Sequence, residues 1–140
     1  MAFVVDASVT MAWCFEDEKT EYTENILDRL GPDEAFVPMI WPWEVLNVLL
    51  VAERRHRVSP ALADEFLDLL NQLPIVVKEW DWPSQAEALL LRGRMLGLTS
   101  YDTGYLELAS RLACPLATQD EKMREAARKL GIVLLESGNG

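Results

Sequence analysis

The chain has 140 residues, of which 50% are hydrophobic, enough for one core and too few for two ordinary domains. Its 13 Lys and Arg residues stand against 23 Asp and Glu residues, which gives a formal charge of -10. This charge excludes a protein that holds nucleic acid through general positive charge, so a nucleic-acid substrate would need a local site. It favours a basic protein partner and, where carboxylates come together, a bound cation.

The N-terminal residues and the two cysteines indicate the cellular compartment in which the protein is expected. Residues 1–6 lack the basic region of a signal peptide, and the apolar stretch 40–52 is too short to span a bilayer. Cys14 and Cys114 do not have the CxxC spacing of a metal or redox pair. We therefore predict a cytoplasmic protein with reduced cysteines, a single domain at 1–136 and a disordered tail at 137–140.

The first half of the chain begins with a strand followed by a helix. In chain order, the predicted elements are a strand at 3–5, a helix from Ala7, a helix at 19–30, a strand at 35–37, a helix at 41–57 and a helix from Pro60 to about Asn71. Gly31 and Pro32 end the second helix, and Ser59 is the N-cap of the last one.

The second half continues the alternation. Its predicted elements are a strand at 75–77, a helix from Trp82 to Gly97, a helix at 101–112 capped by Ser100, a strand at 115–118, a helix at 121–130 and a last strand at 132–135. Five short strands that alternate with helices predict an α/β fold in which a parallel sheet is covered on both faces.

Two acidic residues follow predicted strands. Asp6 ends the first strand, and Asp120 comes shortly after the fourth. Open α/β sheets bind ligands outside the carboxyl ends of their strands, which makes both acids candidates for a site. Each also has an ordinary structural interpretation, because Asp is a common N-cap and Thr118 with Glu121 fits a capping box.

Two further acids lie in predicted helices. Asp102 is in the first turn after Ser100, where the helix dipole favours a negative charge in any protein. Glu44 lies in a helix that is apolar almost all round. If Glu44 is not at an exposed helix start, its carboxylate needs a cation, a hydrogen-bond donor or water nearby. The fold would bring three of the four acids to one sheet edge, and their joint occurrence predicts a site.

The ligand types in this predicted site favour a hard cation. Carboxylates without His or Cys suit Mg²⁺ or Mn²⁺ and do not suit zinc. His56 is the only histidine, and its place at a helix end beside three arginines is more typical of a charge that complements the helix dipole than of a general base.

Four sequence blocks have the order and spacing of a known family. They are VVDAS at 4–8, PWEVLN at 42–47, GLTSYDTGYLELA at 97–109 and LATQD at 116–120. Together they resemble the PIN-domain ribonucleases of the VapC toxin type over nearly the whole chain. The resemblance implies a three-layer α/β/α PIN fold with a short-stranded parallel sheet, an RNA substrate, magnesium or manganese as cofactor, and a cognate antitoxin.

The resemblance also implies roles for individual residues. The family's acidic positions, which bind metal and carry catalysis, correspond to Asp6, Glu44, Asp102 and Asp120. Polar neighbours that position the metal or its waters correspond to Ser8 and Thr118, with Asn47 as a further candidate. The chain departs from the family at Gly104, where close packing would explain a glycine that costs about 1 kcal/mol in a helix relative to Ala.

The predicted chemistry is hydrolysis of an RNA phosphodiester by metal-activated water. Asp6, Asp102 and Asp120 would hold the ion or ions, while Glu44 would complete a second metal site or orient the water. The resemblance favours an endonuclease that leaves a 5′ phosphate. The candidates for contacting the RNA backbone are Arg54, Arg55, Arg57, Arg92 and Arg94, although a solvated helix surface explains each as well.

Two other functions remain as alternatives. Asp6 followed by Ser8 and Thr10 is similar to an aspartyl-nucleophile phosphatase motif, but Ser stands where that motif needs a general acid. A non-catalytic interaction module would instead use the five tryptophans, Trp13, Trp41, Trp43, Trp80 and Trp82, as partner anchors. The apolar helices at 40–52 and 62–70 exceed what one small core needs, so we also expect a homodimer.

Overall fold

Short parallel strands at the centre of the molecule place the candidate acids. The computed structural model describes residues 1–136. The strands are β1 (Ala2–Val5), β2 (Glu34–Pro38), β3 (Ile75–Lys78) and β4 (Leu116–Ala117). They form one sheet in the order β3-β2-β1-β4, and every pairing is parallel. Because the chain reverses through a helix after each strand, the carboxyl ends of all four lie at one edge of the sheet.

Helices connect the strands and flank the sheet. They are α1 (Ala7–Ala12), α2 (Glu21–Arg29), α3 (Ile40–Arg54), α4 (Pro60–Gln72), α5 (Trp82–Leu96), α6 (Ser100–Leu112) and α7 (Glu121–Leu130), with a 3₁₀ turn at Glu16–Glu18. This mixed α/β architecture confirms the predicted fold class. Within residues 1–136, no helix is long and apolar enough to cross a membrane.

The core lies between β1 and the helices packed on it. Phe3, Val4 and Val5 are buried in the strand, and α6 contributes the buried Tyr105 and Leu106. Helix α6 packs on both β1 and β2. The helix that carries Asp102 is therefore held against the strand that ends at Asp6.

The predicted fifth strand at 132–135 is wrong for the part of the chain that the structure describes. Only Leu134 forms a parallel bridge, to Leu116, and two backbone hydrogen bonds flank that bridge. The reason is that β4 has two residues before the chain turns into α7, so the last segment has almost no strand to pair with. The predicted tail at 137–140 lies outside the described residues.

Two predicted N-cap residues are also wrong, because the cap lies one or two residues from the predicted position. Thr99, not Ser100, is the N-cap of α6, and its hydroxyl accepts from the Asp102 amide at 3.1 Å. Asp120 caps α7 in place of the predicted capping box of Thr118 and Glu121. The predicted cap at Ser59, with Pro60 at the first helical position, is confirmed.

Helix α3 ends at Arg54, three residues before the predicted end. His56 has a φ of 58°, in the left-handed region, and its amide donates to the Glu53 carbonyl. The Arg57 amide donates to the Ala52 carbonyl at 2.8 Å. These two bonds form a Schellman motif, which ends the helix although no glycine is present.

Gly104 is not explained by packing. A Cβ built on this residue would meet no heavy atom within 4 Å, so alanine would fit. Nothing in the structure explains the glycine.

Candidate active site

Asp6 lies where β1 passes into α1. Its backbone is extended and its side chain caps the helix, with Oδ1 accepting from the Val9 amide and the Ser8 hydroxyl, each at 2.9 Å. Oδ2 accepts a short hydrogen bond from the Thr118 hydroxyl. Asp6 is 4% exposed, so a carboxylate at this strand end is both buried and oriented by three donors.

Thr118 connects Asp6 to Asp120. Its hydroxyl donates to Asp6 and accepts from the Asp120 amide at 3.1 Å. Asp120 caps α7, and its Oδ1 accepts from the Met123 amide at 3.0 Å. Since β1 and β4 are neighbouring strands, the two acids that follow them lie side by side at the sheet edge. The polar roles predicted for Ser8 and Thr118 thus involve direct contacts to Asp6.

Glu44 lies in the second turn of α3, half-buried. Its Oε1 accepts a short hydrogen bond from the phenol of Tyr105 on α6. The predicted need of this carboxylate for a donor is therefore met by a residue 61 positions away in the chain.

Asp102 lies in the first turn of α6 and is half-buried. Its amide is bound by Thr99, and the Thr103 hydroxyl closes the same turn by donating to the Thr99 carbonyl at 2.7 Å. The side chain of Asp102 is not needed for this cap. It is available for a ligand.

The charges of the four acids act on one another's carboxyl groups. Burial raises the pKa of Asp6, and the charge of Asp120 raises it further. Burial also raises the pKa of Glu44, with added repulsion from Asp102 and Asp6. The pKa of Asp102 is raised by burial and by Asp120. Each acid is thus electrostatically coupled to at least two of the others.

The residues that the structure describes offer these acids no protein cation. The residues 1–136 contain ion pairs elsewhere, but no Lys, Arg or N-terminal nitrogen lies within 4.0 Å of any of the four carboxylates. Asp6 is buried, Glu44 and Asp102 are half-buried and Asp120 is exposed. Carboxylates that repel one another without a counter-ion are unfavourable, most of all where they are buried, and a divalent cation would relieve the repulsion. The all-oxygen donor set fits magnesium or manganese.

The acids are nevertheless not drawn into a closed ligand shell. Among the described residues, no group of three or more His, Cys, Asp or Glu side chains is arranged to hold a metal ion. Magnesium typically keeps several waters and uses one or two carboxylates directly, so an open arrangement suits it better than it suits calcium or zinc.

Other predicted site residues lie away from the acids or have other partners. Asn47 is exposed, one turn after Glu44, and Arg54 is ten residues after Glu44, about 15 Å along the helix axis. Arg57 lies 3.1 Å from Asp17 and stacks on Phe15. The structure therefore does not bring Arg54 or Arg57 into the acidic cluster, whereas Asn47 lies one helical turn from Glu44.

Of the three remaining arginines, Arg92 and Arg94 lie on α5, and Arg55 is the C-cap of α3. Arg92 lies 3.1 Å from Glu107, which ties α5 to α6. Arg55 and Arg94 are exposed. Arg94 lines an apolar cleft on α5 with Trp80 and Trp82 that contains none of the four acids.

Two residues near the site were not predicted. Tyr105 contacts Glu44, and Arg124 of α7 donates to the Thr118 carbonyl at 3.0 Å and to Glu136 at 2.9 Å. Tyr105 stands one turn after Asp102 on the same helix, a spacing that was visible in the sequence. Arg124 had no such signal, because its contact with Glu136 depends on the path of the chain after α7.

Comparisons with known proteins agree with this architecture. The family model described as PIN domain matches residues 3–129, so the chain belongs to the PIN-domain family. The predicted family resemblance is thereby confirmed. No curated protein sequence matches the chain.

Solved structures show the same fold at low sequence identity. PAE2754 from Pyrobaculum aerophilum superposes with a TM-score of 0.68 at 23% identity, over 90% of this chain and 87% of its own. VapBC2 from Rickettsia felis, bound to a DNA fragment from its promoter, gives 0.69 at 11% identity, over 96% and 98%. FitAcB from Neisseria gonorrhoeae gives 0.66 at 16% identity, over 97% of both chains.

Proposed function

We propose that this chain is a magnesium- or manganese-dependent endoribonuclease, the toxin of a toxin-antitoxin pair. The observation that carries the proposal is the placement of Asp6 and Asp120 after two paired parallel strands, with raised pKa values at Asp6, Glu44 and Asp102. Among residues 1–136, no protein cation lies within 4.0 Å of the four carboxylates. Membership of the PIN-domain family supports a nuclease, and the VapC-type resemblance of the sequence blocks supports RNA as the substrate.

The residues of the proposed site would have different roles. Asp6, Asp102 and Asp120 would hold the cation, and Glu44 would complete the site or orient the attacking water. When bound, the cation would lower the pKa of a water and neutralise charge on the phosphate. Ser8 and Thr118 fix the Asp6 carboxylate through hydrogen bonds, so this ligand would be oriented before the cation arrives.

The phosphatase alternative is less well supported. A covalent aspartyl mechanism needs a second acid beside the nucleophile, but position 8 holds a serine whose hydroxyl donates to Asp6. We propose hydrolysis by water because Asp120 follows the strand beside that of Asp6, and Glu44 and Asp102 supply two further carboxylates whose charges act on the same group.

The test is cleavage of total or transfer RNA by the purified protein. We expect fragments with Mg²⁺ or Mn²⁺ and none with chelator, and the 5′ phosphates should make the fragments substrates for a 5′-phosphate-dependent exonuclease. Equal cleavage in chelator would contradict the metal role. Hydrolysis of p-nitrophenyl phosphate without RNA cleavage would favour the phosphatase, and neither activity would favour the interaction module.

We also propose a homodimer and a basic antitoxin. The charge of -10 suits a basic partner, and several apolar side chains of α3 and α4 are exposed: Trp43, Leu46, Leu50, Leu62 and Leu69. Light scattering at micromolar concentration should give twice the 15.9 kDa mass of one chain. A mass of one chain would contradict the dimer, whereas the antitoxin is tested separately by inhibition of RNA cleavage.

A further inference from the structure

The start of α3, which carries Glu44, is tied to the turn at Asp6 by buried polar groups. The Trp41 indole donates to the Thr10 hydroxyl at 3.0 Å, and that hydroxyl donates to the Asp6 carbonyl at 2.9 Å. Thr10 is fully buried and Trp41 nearly so. Because Trp41 precedes Glu44 by one turn, this chain of bonds fixes the helix backbone below the carboxylate.

A fixed backbone does not by itself orient the Glu44 side chain. Glutamate has three rotatable side-chain bonds, and Glu44 is only half-buried, so its carboxylate has room to turn into solvent. Something must hold it at the site if it acts there.

Tyr105 makes the contact that does so. Its phenol is the donor to Glu44 Oε1, and its ring is 1% exposed and packed in the core beside β1. A buried tyrosine commonly finds a partner for its hydroxyl, and a backbone carbonyl would serve that purpose equally well. Here the partner is instead a carboxylate of the acidic cluster, and Tyr105 stands one turn after Asp102 on α6.

We propose that Tyr105 is a positioning residue that holds Glu44 in the cation site. The phenol occupies Oε1, so Oε2 would serve as the oxygen that binds the cation. In this arrangement α6 contributes two residues to the cation site: Asp102 as a ligand, and Tyr105 as the residue that positions Glu44. The inference rests on the proposed function, since it assigns Tyr105 to the same site.

The experiment is a double-mutant cycle on Mn²⁺ affinity, measured by isothermal titration calorimetry without RNA. The variants are Tyr105→Phe, Glu44→Ala and the double variant. Losing the support of a metal ligand typically weakens metal binding about 10-fold or more, so we expect that loss in Tyr105→Phe. In the Glu44→Ala background the same change should alter affinity by less than about 2-fold, because the two residues act as one unit.

The matched control is Tyr101→Phe, which removes an exposed hydroxyl from the same helix. It should bind Mn²⁺ like the wild type. In RNA cleavage, Tyr105→Phe should need a higher Mn²⁺ concentration to reach half of its maximal rate, whereas a loss of folded protein would lower the maximal rate. Thermal melts of each variant check that the fold is intact.

Two results would overturn the proposal. One is wild-type Mn²⁺ affinity in Tyr105→Phe, and the other is an equal loss in the wild-type and Glu44→Ala backgrounds, which would place the effect of Tyr105 elsewhere. If Tyr105→Phe does not fold, Glu44→Asp carries the test, since its shorter side chain withdraws from the phenol. Glu44→Asp should bind Mn²⁺ as weakly as Glu44→Ala, and wild-type affinity in it would count against positioning.

The proposed function and this inference fail in different ways. A wild-type protein that neither binds Mn²⁺ nor cleaves RNA would contradict the proposed function. A wild type that does both, beside a fully competent Tyr105→Phe, would contradict only the role of Tyr105.

Discussion

Asp102→Asn should lose RNA cleavage by about a hundredfold or more, because even the loss of a residue that only supports a metal ligand costs about 10- to 100-fold. The fold should survive, since Thr99 caps α6 through the backbone amide of residue 102 and that amide is unchanged. Burial raises the pKa of Asp102, so removing its charge should leave the unfolding free energy equal to or slightly above that of the wild type.

The measurement is the initial rate of RNA cleavage in saturating Mg²⁺, together with a thermal melt. Asp28→Asn is the matched control, because it makes the same chemical change at an exposed position on α2. We expect wild-type activity in the control. An active Asp102→Asn variant would show that the site is assigned wrongly.

Asp6→Asn should separate the role of Asp6 as a ligand from its role as a helix cap. Asparagine is as good an N-cap as aspartate, so Val9 keeps its acceptor, and the hydroxyl of Thr118 can rotate to accept from the new amide. Without metal, the variant should therefore melt at or above the wild-type temperature at neutral pH. With Mn²⁺ at a hundred times its dissociation constant, the wild type should gain about 2.7 kcal/mol and the variant much less.

The difference in metal-free stability between Asp6→Asn and the wild type should depend on pH in a definite direction. Burial raises the pKa of Asp6 above its ordinary value of 3.8, so around and above that value the folded state binds more protons than the unfolded state. The resulting penalty is absent well below pH 3.8, grows as the pH rises, and is complete above the raised pKa. Relative to the metal-free wild type, Asp6→Asn should therefore gain stability as the pH rises from acid to neutral.

Thermal melts of both proteins across this range, with chelator and with Mn²⁺, provide the data. A variant that is strongly destabilised without metal yet still fully responsive to Mn²⁺ would identify Asp6 as a structural cap alone.

Most of the fold could be predicted because local signals mark its boundaries. Ser59 with Pro60 opens α4, and Gly97 and Gly131 end α5 and α7 in left-handed conformations, as glycine after a helix suggests. The errors in the predicted helix caps arose where neighbouring residues were equally suitable as the N-cap. Thr99 and Ser100 are both good caps, and only the tertiary packing of α6 selects the first.

The candidate site was predictable to the extent that it depends on strand ends. Asp6 and Asp120 follow strands that pair with each other, so topology alone brings them together. The hydrogen bond between Tyr105 and Glu44 joins residues far apart in sequence, and no periodicity reports such a contact. The ion pairs of Arg57 and Arg92 could not be predicted for the same reason, since other elements supply their acidic partners.

In both Asp6 and Asp120, the oxygen Oδ1 accepts the backbone hydrogen bond that caps the following helix. Selection for a stable fold would accept asparagine at either position, so stability alone gives these carboxylates little protection against mutational drift. A lineage that no longer needed the activity could lose it by exchanging a single oxygen for an amide nitrogen, while the surfaces that meet a partner stayed as they were. A survey of natural variants should then find inactive but well-folded forms with Asn at position 6 or 120.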